Sequence, residues 1–238
     1  MFRFPGMVYR NKFALPSLPP PGSFKDQSIL ITGASGGLGL ATAVHFVNLG
    51  ASSVIITARS HVKGEAAKAA IEAQTGTVDK GIVKIMELDM STFASTKAFA
   101  DKVKQEVKKI DIVILNAGVL NTKFQDGKEG YEETIQVNVL STTLLGLLLL
   151  PWMKEAGGGK AHLEFVTSGA HRGVAIDGWP KEGVLAFLSK SENWPKGGMY
   201  GPSKLLEQYV VNEIAKLAVG SDGQPHVIVN PMCPGISS

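Results

Sequence analysis

From residue 27 onward, apolar positions along the chain follow two alternating rhythms. Short runs rich in Val and Ile are separated by longer stretches in which apolar residues recur every three or four positions, the period of a helix. The runs "SILIT", "SVIITA", "GIVKIMELD", "IDIVILNAG", "AHLEFVTS" and "HVIVNPMC" predict strands. The stretches between them predict helices. "LGLATAVHFVNLG" stops at Gly50, and "HVKGEAAKAAIEAQTG" starts after Ser60, a good N-cap, and stops at Gly76. "STFASTKAFADKVKQEVKK", a long region over 130–154, and "YGPSKLLEQYVVNEIAKLAV" complete the set. The run "IDIVILNAG" is almost wholly apolar, so both of its faces should be covered. Strands alternating with helices predict right-handed crossovers and a parallel sheet with helices on both faces.

Composition narrows the picture modestly. Apolar residues make up 44% and charged residues 19%, an ordinary globular balance. Residues 1–24 read as an irregular Pro-rich arm without the continuous apolar core of a signal peptide. Residues 25–238 read as one domain. A formal charge of +3 gives no footprint for nucleic acid. Cys233 is the single cysteine, which precludes an internal disulfide and fits a reducing, cytoplasmic setting. The histidines lack metal-ligand spacing, so no metal is expected. The most apolar stretch, 144–153, falls short of the roughly 20 residues a membrane span needs. It could pack in the core or across the interface of a homo-oligomer.

Ligands of doubly wound sheets bind beyond the carboxyl ends of the strands, and the unusual residues of this chain fall there. "TGASGGLG" follows the first strand. It can be parsed as G-x-x-x-G-x-G through Gly33, Gly37 and Gly39, or as G-x-x-G-x-x-G through Gly33, Gly36 and Gly39. Either way a helix N-terminus meets a phosphate, with Ser35 and Leu38 in the same turn. This is the cofactor signature of a Rossmann-type, three-layer αβα fold. At the end of the second strand stands Arg59, where NAD-binding folds usually carry an acidic residue. A cation there suits a 2′-phosphate and favours NADP(H) over NAD(H), unless Arg59 is merely a surface residue. Asp89 could accept a hydrogen bond from the adenine amino group or cap the following helix. Asn116, Ala117 and Gly118 let the backbone approach a cofactor, and the Asn116 amide can brace neighbouring strands.

Candidate reacting groups follow. Tyr200 and Lys204 stand at i and i+4 on a predicted helix, which puts phenol and ammonium on one face. A nearby cation favours phenolate. Ser168 follows the fifth strand, where its hydroxyl could orient a carbonyl oxygen. Asn138 is an amide inside an apolar helix and needs a partner. A water bridging it to Lys204 would supply one and extend a proton path.

Together the glycine turn, "NAG", the serine and "YGPSK" resemble the short-chain dehydrogenase/reductase family, over about 25–235. The likeness is to compact members of retinol-dehydrogenase-like or fungal type. It implies that Tyr200 is the general acid/base and that Lys204 binds nicotinamide ribose and lowers the tyrosine pKa. Ser168 would orient the substrate carbonyl, Asn138 would complete a proton relay, and Pro234-Gly235 would lie beside the nicotinamide. The presence of "NAG" selects Gly33, Gly37 and Gly39 as the cofactor glycines. The implied partner is a small, apolar carbonyl or alcohol. Two departures stand out. The segment 171–198 between serine and tyrosine is longer than the family's; it is expected to wall the substrate, an ordinary surface insertion being the alternative. The chain also stops three residues after Gly235, so a substrate-covering C-terminal segment is expected to be missing. A dinucleotide-binding sensor with little catalysis is therefore the competing expectation.

Overall fold

A computed structural model describes residues 17–235; most of the Pro-rich arm, 1–16, lies outside the described residues. The strands are β1 (Ser28–Ile31), β2 (Ser53–Ala58), β3 (Val83–Glu87), β4 (Ile112–Leu115), β5 (Ala161–Val166) and β6 (Val227–Met232). They form one parallel sheet in the order β3-β2-β1-β4-β5-β6. The order reverses between β1 and β4, so a crevice opens at their carboxyl ends. The longer helices are α1 (Gly37–Asn48), α2 (His61–Thr75), α3 (Phe93–Glu106), α4 (Thr142–Ala156) and α6 (Tyr200–Leu217). A short α5 (Val184–Leu188) lies within the long segment before α6.

Side chains alternate across the sheet with period two, and each face has its own core. Leu30, Val113, Leu115 and Phe165 pack with Leu145, Leu149 and Ile214 on the face carrying α3, α4 and α6. Ile29, Ile31, Val54 and Ile56 pack with Ala43, Val47 and Ile71 beneath α1 and α2. Both faces of β4 are thus covered, as its apolar run predicts. At the edge, β6 is different: Val227 is buried, but Ile228 and Met232 are exposed.

The long apolar helix is not uniform. It begins as a π-helical segment, Ile135–Ser141, and continues as α4. Taken together, Ile135–Ala156 is long and apolar enough by length and composition to cross a membrane, further than the stretch 144–153 suggests. Its most apolar window is 61% buried inside the fold, which accounts for that apolarity.

Candidate active site

Two clefts flank the loop that follows β4. The first, of about 250 Å³, is lined by Gly33, Ser35, Arg59, Asp89 and the run Asn116-Ala117-Gly118, among others. Its walls are tied together by Thr32, whose Oγ1 accepts the main-chain N–H groups of Asn116 and Ala117, each at 2.9 Å. The Asn116 amide donates back to the carbonyls of Thr32 (2.9 Å) and Gly33 (3.3 Å), the brace expected of it. Thr32 is a residue that sequence reasoning missed, because a threonine ending a strand looks like ordinary β-propensity.

Glycine is required at three points of the turn, each for its own reason. Gly33 has φ +66°, and a Cβ there would stand 2.8 Å from Ala117 Cα. Gly37 has open space around it but φ +54°. A Cβ on Gly39 would lie 2.6 Å from both Gly33 O and Asn116 Nδ2. Gly36 is extended, at φ −179°, and meets nothing within 4 Å. The constrained glycines are therefore those of the G-x-x-x-G-x-G spacing. Leu38 is exposed on the first turn of α1.

Arg59 stands exposed at the end of β2, on the rim of the same cleft. Asp89 does not cap α3; Thr92 does, accepting the Ser95 N–H at 3.3 Å. The Asp89 carboxylate instead accepts Ser91 N–H (2.9 Å) and Lys128 Nζ (3.1 Å). Partial burial pushes its carboxyl upward, but the hydrogen bonds from Ser91 and Lys128 outweigh that and hold it below its ordinary value. Lys128 is a second cation beside this cleft that the sequence did not single out.

The second cleft, of about 680 Å³, lies on the other side of the loop, against Leu120, Asn121 and Thr122. Tyr200, the first residue of α6, lines it together with Trp179 and Trp194. These tryptophans belong to the 171–198 segment, which is anchored on an apolar cluster of Ile135, Val139, Leu188 and Met199.

Behind Tyr200 lies Lys204, buried, its Nζ 5.8 Å from the Tyr200 ring centroid. The ammonium donates to Val166 O at the end of β5 and to Glu207 Oε2, both at 2.7 Å. Glu207 is buried as well, and sequence reasoning passed over it. Burial pushes its carboxyl up to about 7 although Lys204 pulls the other way.

Ser168 sits just beyond β5 and caps a 3-10 turn, Gly169–Gly173, by accepting Ala170 N–H at 3.2 Å. The turn packs against the start of α6, where Gly201 approaches Val174 and Ala170 O. Cys233 Sγ accepts Gly169 N–H (3.2 Å), which brings the segment holding Pro234 and Gly235 beside Ser168.

The side chain of Asn138 is buried and makes three hydrogen bonds within the protein. Its Nδ2 donates to Val119 O (2.9 Å) and Ser203 Oγ (3.1 Å), and its Oδ1 accepts Val119 N–H (2.8 Å). Ser203 Oγ donates in turn to Tyr200 O at 2.8 Å. Both amide hydrogens are thus used in clamping the loop after β4 to the turn that carries Tyr200. A π-helical turn places Asn138 there, where one extra residue per turn re-aims side chains.

Fold and glycine cleft together define a Rossmann-type α/β protein. The chain belongs to the short-chain dehydrogenase/reductase family of oxidoreductases, and the family model for short chain dehydrogenases matches residues 27–174. It is 38% identical over 225 residues to the short-chain dehydrogenase/reductase ffsI of Aspergillus flavipes, covering 93% of this chain and 65% of that protein. With phmF of Phaeosphaeria nodorum the identity is 37% over 233 residues, covering 96% and 67%. The chain therefore spans about two thirds of the length of these relatives. Among solved structures, a protein from Mycobacterium paratuberculosis superposes with a TM-score of 0.69 at 30% identity, covering 91% of this chain and 70% of that one. A short chain dehydrogenase from Shigella flexneri, solved in complex with NADP, gives 0.66 at 22% identity, covering 90% and 79%, a likeness of fold.

Proposed function

We propose that the protein transfers hydride between NADP(H) and a carbonyl or alcohol group of a small apolar substrate, with Tyr200 as general acid/base. The observation that carries this reading is Lys204 held behind Tyr200 at the mouth of an indole-lined cleft, across one loop from the glycine cleft.

The residues of the first cleft fit a dinucleotide. The turn packs against Asn116 and Ala117 only because Gly33 and Gly39 lack Cβ atoms, and the N-terminus of α1 favours an anion. Arg59 would pair with a 2′-phosphate, and no carboxylate ends β2 to repel one. The Shigella flexneri neighbour's NADP supports the same choice.

When bound, the nicotinamide supplies or accepts the hydride. The protein positions the substrate and handles the proton. In reduction Tyr200 donates its proton to the carbonyl oxygen; in oxidation it takes the alcohol proton back. The Ser168 oxygen accepts Ala170 N–H, which leaves its own O–H free to donate to the same substrate oxygen. Lys204 stands behind the phenol and would bind nicotinamide ribose. Asn138 acts through Ser203 on the turn bearing Tyr200. Pro234 and Gly235 would close the nicotinamide end, and Trp179 and Trp194 would exclude water from the substrate.

The test is NADPH oxidation over a panel of apolar ketones and aldehydes, with NADPH and NADH affinities measured by fluorescence. Tyr200→Phe should lose turnover by about 100-fold or more and keep its cofactor affinity. Wild-type protein that binds NADPH but turns over no member of the panel would establish the binding-protein reading instead.

A further inference from the structure

Lys204 holds three hydrogens on its ammonium, and two have protein acceptors. Val166 O takes one and Glu207 Oε2 the other, each at 2.7 Å. The centroid of the Tyr200 ring lies 5.8 Å from the same nitrogen. Along α6 the positions 200, 204, 207 and 211 form one stripe, and Glu207 occupies a core site between Lys204 and buried Val211. An aliphatic side chain would fill that site at no electrostatic cost; a carboxylate there is costly unless its charge is used.

We propose that Glu207 is a positioning residue acting through Lys204: its carboxylate fixes the ammonium beside Tyr200, and its charge sets how much of the ammonium's field the phenol feels. This rests on Tyr200 being the acid/base group. With Glu207 neutral, the full positive field favours phenolate; with Glu207 ionised, the pair is nearly neutral and the field largely cancels. The switch falls near neutral pH because burial has raised the carboxyl to about 7.

Few other charges intrude on the pair. The π segment and β6 carry none. On α4, Lys154 donates to Leu217 O at the far end of α6, with Glu155 adjacent. On β5, Glu164 accepts from Asn230 and lies 3.6 Å from His162. The 3-10 turn contributes Arg172 and His171, whose Nδ1 lies 2.6 Å from Ser168 O.

The experiment titrates full-length protein carrying ring-¹³C-labelled tyrosine, with the Tyr200 signal assigned by its loss in Tyr200→Phe. In wild type that signal should show an inflection near pH 7, absent in Glu207→Gln and retained in Glu207→Asp. Oxidation of 1-phenylethanol with NADP provides a second readout. Glu207→Gln and wild type should match below about pH 6, and the variant should be about threefold faster at pH 8. No inflection near 7 in wild type overturns the proposal, and that arm needs no variant of Glu207 to fold. An inflection that survives Glu207→Gln, or superimposable rate profiles, also overturns it. An inflection lost in Glu207→Gln without turnover of any substrate would sink the oxidoreductase reading and leave the Glu207–Tyr200 coupling standing.

Discussion

Gly36 and Gly39 stand three positions apart in one turn, yet substitution should affect them very differently. Gly36→Ala adds a methyl into open space on extended backbone, so cofactor affinity and thermal midpoint should stay at wild-type values. Gly39→Ala drives a methyl onto Gly33 O and the Asn116 amide. It should cost about 1–3 kcal/mol in a denaturant melt and weaken NADPH binding by opening the turn. Equal behaviour of the two variants would show that the G-x-x-x-G-x-G assignment is wrong. Both parses were legible in the sequence and "NAG" selected the first; backbone angles and neighbours supply the physical reason for that choice. Glu207 was not legible in that way. A glutamate followed by Gln208 on a helix has the pattern of a solvated position, and only the partner 2.7 Å away shows otherwise.

Elements differ in how far periodicity can describe them. The strands are short runs rich in Val and Ile, so their number and succession along the chain could be read before any coordinates; their order in the sheet could not, and β6 at the edge is largely exposed. The region before α4 reads as one helix by the same rule, because a π turn shifts the register by a single residue and leaves composition unchanged. Its consequence is spatial: Asn138 reaches both the loop after β4 and Ser203 on α6. The 171–198 segment was legible as an insertion rich in large apolar residues, but its docking on Ile135 and Val139 was not. If it walls the substrate, replacing both Trp179 and Trp194 by Ala should raise KM for a bulky apolar ketone by about tenfold or more, from lost apolar contact. NADPH affinity should hold, since neither indole lines the glycine cleft. An unchanged KM would make the segment ordinary surface.

At the scale of the whole molecule, the buried Lys204–Glu207 pair links stability to pH. The folded state raises the Glu207 carboxyl from 4.5 to about 7, so between those values it binds more protons than the unfolded chain. The contribution is fully present below about 4.5 and is lost as pH rises through about 7, at most about 3 kcal/mol in all. Asp89, held low, works in the opposite sense: its contribution is present above its ordinary range and fades on acidification. Denaturant midpoints of wild type and Glu207→Gln across this range isolate the first effect. The gap between the two proteins should change steadily from pH 4.5 to 7, to the disadvantage of wild type as pH rises. A constant gap would mean that Glu207 is ionised throughout. A final consequence follows from Thr32, whose single hydroxyl receives two N–H groups from the opposite wall of the glycine cleft. The two jaws of that cleft are locked together by folding itself. Little freedom is left for a ligand to freeze, so association should proceed close to lock-and-key, with a small entropic penalty and a structure nearly unchanged on binding.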